Sequence, residues 1–189
     1  MKKTRQSASN RLARECMVTA LMQLLESQPL STITISELTA KAGVSRMTFY
    51  RNYSSKEDIF ARHLKDILEE YRQESFELRD GEHNYSLPHM MHCFHYFNTY
   101  KDFLNCLFRS GLSGLFLSAL EDYVLSRWQT DPSDSSEYYA LHAFSGALFS
   151  VYIAWSNRGA KETPEEMAGM LSRYWERQEA SLPQSNQPN

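Results

Sequence analysis

Between positions 34 and 56 the chain gathers side chains suited to a polyanion with readable edges. Arg46 brings a guanidinium, whose planar fork can pair bidentately with the two major-groove acceptors of guanine. Met47 and Thr48 beside it offer apolar contact for a thymine methyl, and the threonine hydroxyl can serve a phosphate instead. Arg51 and Asn52 lie further along and can meet backbone or bases. Thr34 and Ser36 bring hydroxyls, and Lys56 an ammonium, to the first turns of two helices. Free N–H groups at such turns already favour an anionic oxygen. This is chemistry for holding nucleic acid. Chemistry for turnover is missing: there is no Gly-rich phosphate loop, no nucleophile elbow and no HExxH, and the carboxylates are scattered over polar helix faces. No catalytic residue, cofactor or resident metal is expected.

The elements that must carry these groups read clearly. Thr34 and Glu37 have the spacing of a capping box. Ile35, Leu38 and Ala42 then mark one buried face of a short helix. Gly43 follows the last apolar residue, where a left-handed residue ends a helix. Val44 anchors the turn, and Ser45 can cap the next helix, residues 46–52. Two helices joined by a tight Gly-containing turn form a helix-turn-helix, whose second helix enters the major groove. Phe49 and Tyr53, aromatic at this spacing, are expected in the core.

Composition points to an all-α chain. Gly (7) and Pro (6) are few in 189 residues, and Leu, Met, Ala, Phe and Tyr supply most of the apolar mass. The net charge of −3 hides an asymmetry: residues 1–56 hold nine Lys and Arg against three Glu, a formal +6, which leaves −9 for the remainder. A basic end meets phosphate and an acidic body avoids it. Cys16, Cys93 and Cys106 form no CxxC pair and are expected as buried, reduced thiols. No apolar run approaches the ~18–20 residues of a membrane span, and no signal peptide opens the chain, so a cytoplasmic protein without membrane contact is expected.

About nine helices are expected. Residues 1–8 read as disordered, either a basic arm for DNA or a frayed end, before helix 1 at 10–27. Helix 4 spans about 55–78, with Ser55 and Asp58 in capping-box spacing, and 79–87 read as a loop. Helices follow at 88–100, 101–108, 112–129 and 136–157, and a ninth opens on Thr163-Pro164-Glu165-Glu166. Helix 8 carries two stripes. Leu141, Phe144, Leu148, Val151 and Trp155 form a large one; Ala140, Ala143, Ala147, Ser150 and Ala154 form a small one that permits close helix approach. The expected division is a helix-turn-helix DNA-binding domain at 1–54, connecting helix 4 at 55–79, a helical effector and dimerisation domain at 80–179, and a disordered tail at 180–189.

The run AGVSRMTFYRNYSSKEDIF resembles the signature of the TetR/AcrR family of bacterial transcriptional regulators, through Ala42-Gly43-Val44-Ser45, Thr48-Phe49-Tyr50, Tyr53 and Ser55-Lys56. The segment 144–170, with Gly146, Trp155, Gly159 and Pro164-Glu165-Glu166-Met167, is similar to the C-terminal domain of the subgroup that includes regulators of dihydroxyacetone-kinase operons. The resemblance implies a three-helix head on a helical-bundle body. It implies that Tyr50 hydrogen-bonds a phosphate, that helix 4 transmits ligand binding to the heads, and that helices 8 and 9 form a homodimer on a palindromic operator. It further implies a small-molecule cavity, for which Met90, Phe94, Phe97, Phe108, Phe116 and Phe144 are the candidate lining, although such a stripe is more often plain core.

The expected function is a homodimeric repressor released by an effector. An activator working with a protein partner is the alternative within the class. A non-specific architectural DNA binder would share the basic head. On a helix, His89 faces His92 and Cys93 at i+3 and i+4, a geometry that can hold zinc or copper and would make the regulator metal-responsive. Histidines on a polar face give the plainer reading.

Overall fold

The computed structural model describes residues 2–76 and 85–181. Every regular element among them is a helix: α1 (Lys2–Leu25), α2 (Ile35–Lys41), α3 (Arg46–Asn52), α4 (Lys56–Phe76), α5 (Leu87–Thr99), α6 (Lys101–Arg109), α7 (Ser113–Trp128), α8 (Ser135–Asn157) and α9 (Pro164–Ser181). The nine-helix all-α expectation is met. One boundary is corrected: α1 begins at Lys2 rather than near position 10, so the basic N-terminus is helical. Its residues are good or neutral helix formers without Gly or Pro, and nothing local stops the helix. α9 likewise continues through Ala180 and Ser181. The loop expected at 79–87 lies outside the described residues up to position 84, as does the tail beyond 181.

The chain forms two compact units. The first holds the residues up to Glu69 together with Asp102–Ala119; the second holds Glu70–Lys101 and the residues from Leu120 on. α4 and α7 each pass from one to the other.

In the first unit α1 packs on α2 and α2 on α3. Met17, Leu21, Leu38, Phe49, Ile59 and Phe60 supply fully buried side chains. Phe60 meets the Phe103 ring at 5.7 Å, which draws α6 onto the first part of α4. Arg14 of α1 forms an ion pair with Asp66 of α4.

In the second unit α5 packs along α9. Its core is aromatic, centred on Tyr71. The rings of Phe97 and Tyr123 lie 4.9 Å from it, Tyr96 lies at 5.1 Å, and His92 stacks on it at 4.8 Å. Buried hydroxyls need partners, and they have them: Tyr123 donates to Ser75 Oγ (2.8 Å) and Tyr152 to Phe97 O (3.0 Å). Burial accordingly raises the pKa values of Tyr71, Tyr123 and Tyr152. Cys93 and Cys106 are buried and Cys16 half-buried, all three as free thiols. Among the described residues no helix is long and apolar enough to cross a membrane.

His89 makes the second unit sensitive to acid. Its ring is buried, with Nδ1 2.8 Å from Ser86 Oγ and Nε2 without a partner. Burial, ahead of the Arg127 and His92 charges, lowers its pKa below the ordinary 6.5. The unfolded chain therefore binds the proton first, and stability falls as pH drops below about 6.5. His89→Gln should remove that component. Urea unfolding between about pH 8 and 5.5 checks it: the wild type should lose stability relative to the variant on acidification, and parallel curves would refute the assignment.

Candidate nucleic-acid interface

The interface is built from three chain turns that fix two short helices. Thr34 caps α2, with its Oγ1 accepting from the Glu37 N–H at 3.1 Å. Only half of the expected capping box forms. The Glu37 carboxylate turns away and accepts from Gln28 Nε2 at 2.6 Å, tying α2 to the chain leaving α1. At the far end of α2, the Val44 N–H donates to Thr39 O (3.0 Å) and the Gly43 N–H to Ala40 O (3.2 Å). This is the paired closure of a Schellman turn. Gly43 sits there at φ +66°, and a Cβ at that position would meet nothing within 4 Å. Glycine is required by the backbone conformation, not by lack of space.

Ser45 then caps α3 by accepting from the Thr48 N–H at 3.1 Å, and its Oγ lies 2.9 Å from Thr48 Oγ1. α3 has seven residues, too few for a helix to hold alone in water. It is held by Phe49, 0 % exposed, with Tyr53 at 5.8 Å closing over it. Both aromatics are core, as their spacing indicates. Burying Phe49 turns the opposite side outward. Arg46, Met47, Tyr50 and Arg51, two pairs four residues apart, form an exposed stripe with Met47 69 % and Tyr50 53 % accessible. The first turn of α3 carries no acidic residue. A guanidinium, a thioether, a phenol and a second guanidinium thus share one accessible face.

The remaining expected contacts are more engaged. Thr34, Ser36 and Ser45 are exposed, although Thr34 and Ser45 already serve as caps. Thr48 and Asn52 are half-buried, and Asn52 Nδ2 donates back to Thr48 O at 2.9 Å. In the DNA-free chain Lys56 is half-buried and its Nζ donates to Leu30 O and Ile33 O. At the start of α4, Asp58 receives the Ser54 N–H (2.9 Å), and its own N–H donates to Ser55 Oγ (3.2 Å). Sequence reasoning missed Gln28 and Arg14 as positioning residues, because their partners stand 9 and 52 positions away with no local signal.

The six residues expected to line an effector cavity divide between the units. Met90, Phe94, Phe97 and Phe144 are buried in the second. Phe108 and Phe116 belong to the first, their rings 5.9 Å apart. His89, His92 and Cys93 have other engagements: His89 with Ser86, His92 with Glu74 at 3.1 Å, and Cys93 with Tyr71. Burial pushes the Cys93 thiol up to about 12. Among the described residues no three His, Cys, Asp or Glu side chains are grouped to hold an ion.

A capped, glycine-turned pair of helices presenting a basic and polar stripe defines the DNA-binding helix-turn-helix class. The family of bacterial regulatory proteins, tetR family, matches residues 17–62, and a transcriptional regulator C-terminal region of TetR type matches residues 84–177. The chain belongs to the TetR family of DNA-binding transcriptional regulators, a family that is not enzymatic. The solved structure of "Dihydroxyacetone kinase operon activator DhaS" is similar in fold, with a TM-score of 0.59 and 15 % identity, covering 88 % of this chain and 95 % of that one. No curated protein matches the sequence.

The cap on α3 is testable alone. Ser45→Ala should cost about 1 kcal/mol, read as a lower denaturant midpoint at unchanged slope; an unchanged midpoint would mean the cap contributes nothing.

Proposed function

We propose that the chain works in the cytoplasm as a homodimeric repressor that grips a palindromic operator and lets go when its body takes up a small-molecule effector. The observation that carries the DNA part is the exposed stripe of α3, set by the burial of Phe49 behind it. Residues 1–54 act as the DNA-binding head, 55–79 as the connection and 80–179 as the effector and dimerisation body. Arg46 reads a base edge, Met47 and Thr48 add apolar or hydroxyl contact, and Tyr50 holds a phosphate with Thr34, Ser36 and Ser45 nearby. Arg51 and Asn52 lie along the backbone. Met90, Phe94, Phe97 and Phe144 are the candidates for effector contact within the second unit.

The dimer reading is supported by α8. Leu141, Phe144, Leu148 and Trp155 of its large stripe are buried, whereas Ala140, Ala143, Ser150 and Ala154 of the small stripe are exposed beside Tyr139, 69 % accessible. On α9, Met170 and Tyr174 stand exposed one turn apart. An alanine face flanked by exposed large apolar groups suits close packing against a second copy through α8 and α9. Two heads so joined would meet half-sites about one helical turn apart, or a multiple of it.

The experiment is a salt-titrated binding curve on DNA from upstream of the chain's own gene, beside a shuffled duplex. Strong preference, with two subunits per site, supports the specific regulator. Equal and salt-sensitive binding to that duplex, to its shuffled form and to DNA selected from random sequence would favour an architectural binder. Transcription in vitro from a template carrying the bound site decides the sign. Activation there would replace repression, and the structurally similar protein, named as an operon activator, makes that outcome worth measuring.

Two substitutions separate the contacts. Arg46→Ala should cost about 1–3 kcal/mol on the preferred sequence and relax preference at one position, while Tyr50→Phe should weaken all sequences alike. If Arg46→Ala weakened every sequence equally, Arg46 would not read a base. Ala143→Arg places a charge on the exposed alanine face. It should yield a folded monomer by sedimentation equilibrium and lose most operator affinity; a dimer of unchanged affinity would move the interface elsewhere.

A further inference from the structure

We infer that Gln28 is a positioning residue that holds the Glu37 carboxylate away from the opening of α2, and that operator affinity depends on this diversion. The inference rests on the reading of the chain as an operator-binding regulator, in which Thr34 and Ser36 lie near a phosphate. Glu37 is the only acidic residue between positions 27 and 56, a stretch that holds Lys41, Arg46, Arg51 and Lys56. In a capping box, the residue at the third helical position reaches back to the N–H of the cap residue, which here is Thr34. A carboxylate at that N–H would stand beside the exposed Thr34 and Ser36 hydroxyls and repel the phosphate they meet.

The same chain shows what this spacing does when no other donor takes the carboxylate. Thr163 and Glu166 open α9 with the full box: the Glu166 N–H donates to Thr163 Oγ1 (3.2 Å), and the Thr163 N–H donates to Glu166 Oε2 (2.8 Å). At Thr34 and Glu37 only the first of these bonds forms, at 3.1 Å. The Glu37 carboxylate goes instead to Gln28 Nε2, at 2.6 Å. A carboxylate can only accept, so the Gln28 amide presents its NH2 group to it, and its Oε1 faces Thr32 Oγ1 at 3.3 Å. Gln28 is itself held in place. It is half-buried, and its N–H donates to Leu24 O (3.1 Å), continuing the last turn of α1. Thr32 is fixed in turn by its N–H and hydroxyl, which both donate to Pro29 O. The amide is therefore a fixed neutral donor, and a hydrogen bond to an ionised acceptor is the stronger kind. It draws the one carboxylate of the recognition unit toward the end of α1.

The test uses the 189-residue chain and a duplex that the wild type selects from random-sequence DNA. Gln28→Leu keeps the bulk and removes the amide. The freed carboxylate should close the box at Thr34, and operator affinity should fall on the order of tenfold at low salt. The deficit should shrink as salt rises, because repulsion between exposed charges is screened. Adding Glu37→Gln to that variant should bring affinity back to within about twofold of the wild type, since a glutamine closes the same box without a charge. A purely structural tie from Gln28 to α2 has different consequences: the loss would be equal at every salt concentration, and Glu37→Gln would not rescue it. Either result overturns the inference, and so does unchanged affinity in Gln28→Leu. Should Gln28→Leu not fold, Gln28→Asn, whose amide is one methylene shorter, takes its place with the same expected outcomes. A DNA-free measurement separates the diversion from the regulator reading. The Thr34 amide proton should move downfield in Gln28→Leu as it gains the carboxylate, and an unmoved resonance would overturn the inference. Failure of the regulator reading would appear instead as a wild type without sequence preference.

Discussion

A seven-residue helix cannot support itself in water, because the cost of its nucleus outweighs the few hydrogen bonds it closes. α3 is such a helix, and the burial of Phe49 is what gives it a fixed place. A fully buried Phe side chain contributes about 1.5–3 kcal/mol. The neighbouring features serve the same end. Ser45 supplies the first turn with an acceptor, the left-handed Gly43 fixes the approach of the chain, and Tyr53 lies over the ring of Phe49. Because an α-helix presents opposite sides every half turn, fixing one side of α3 fixes the direction of Arg46, Met47, Tyr50 and Arg51. The binding surface is therefore a product of core packing.

The second unit is organised on a different principle. Tyr71 stands among Phe97, Tyr123, Tyr96 and His92, and large aromatic rings fill its core more than branched aliphatics do. Three histidines reach Glu partners on other helices: His92 to Glu74, His95 to Glu165 and His142 to Glu121. These pairs join α5 to α4, α5 to α9, and α8 to α7. The first unit adds caps, main-chain carbonyls and the Arg14–Asp66 ion pair to its apolar core.

Where the sequence carries local signals, the structure follows them. The end of α2 and the start of α3 agree because Gly43 is a stop signal and Ser45 a start signal with a mechanism, and the full capping box of Thr163 with Glu166 opens α9 as its spacing indicates. The start of α1 is not legible, since nothing between Lys2 and position 10 discourages a helix. The inward turn of the Lys56 ammonium is illegible for another reason. A flexible four-carbon stem at a helix start can turn to solvent or back to the protein, and the carbonyls that draw it in are more than twenty residues away. The spacing of His89, His92 and Cys93 on α5 is real geometry, but Glu74, Ser86 and Tyr71 already engage those groups. Side chains whose partners are distant in sequence are the ones that spacing alone cannot assign.

The burial of Cys93 and Cys106 bears on the conditions under which this regulator keeps its state. Peroxides, disulfides and electrophiles react with thiolates. Burial raises both thiols above their ordinary range, Cys93 to about 12. At neutral pH these two positions therefore hold almost no thiolate, and slow attack by such reagents is what their burial implies.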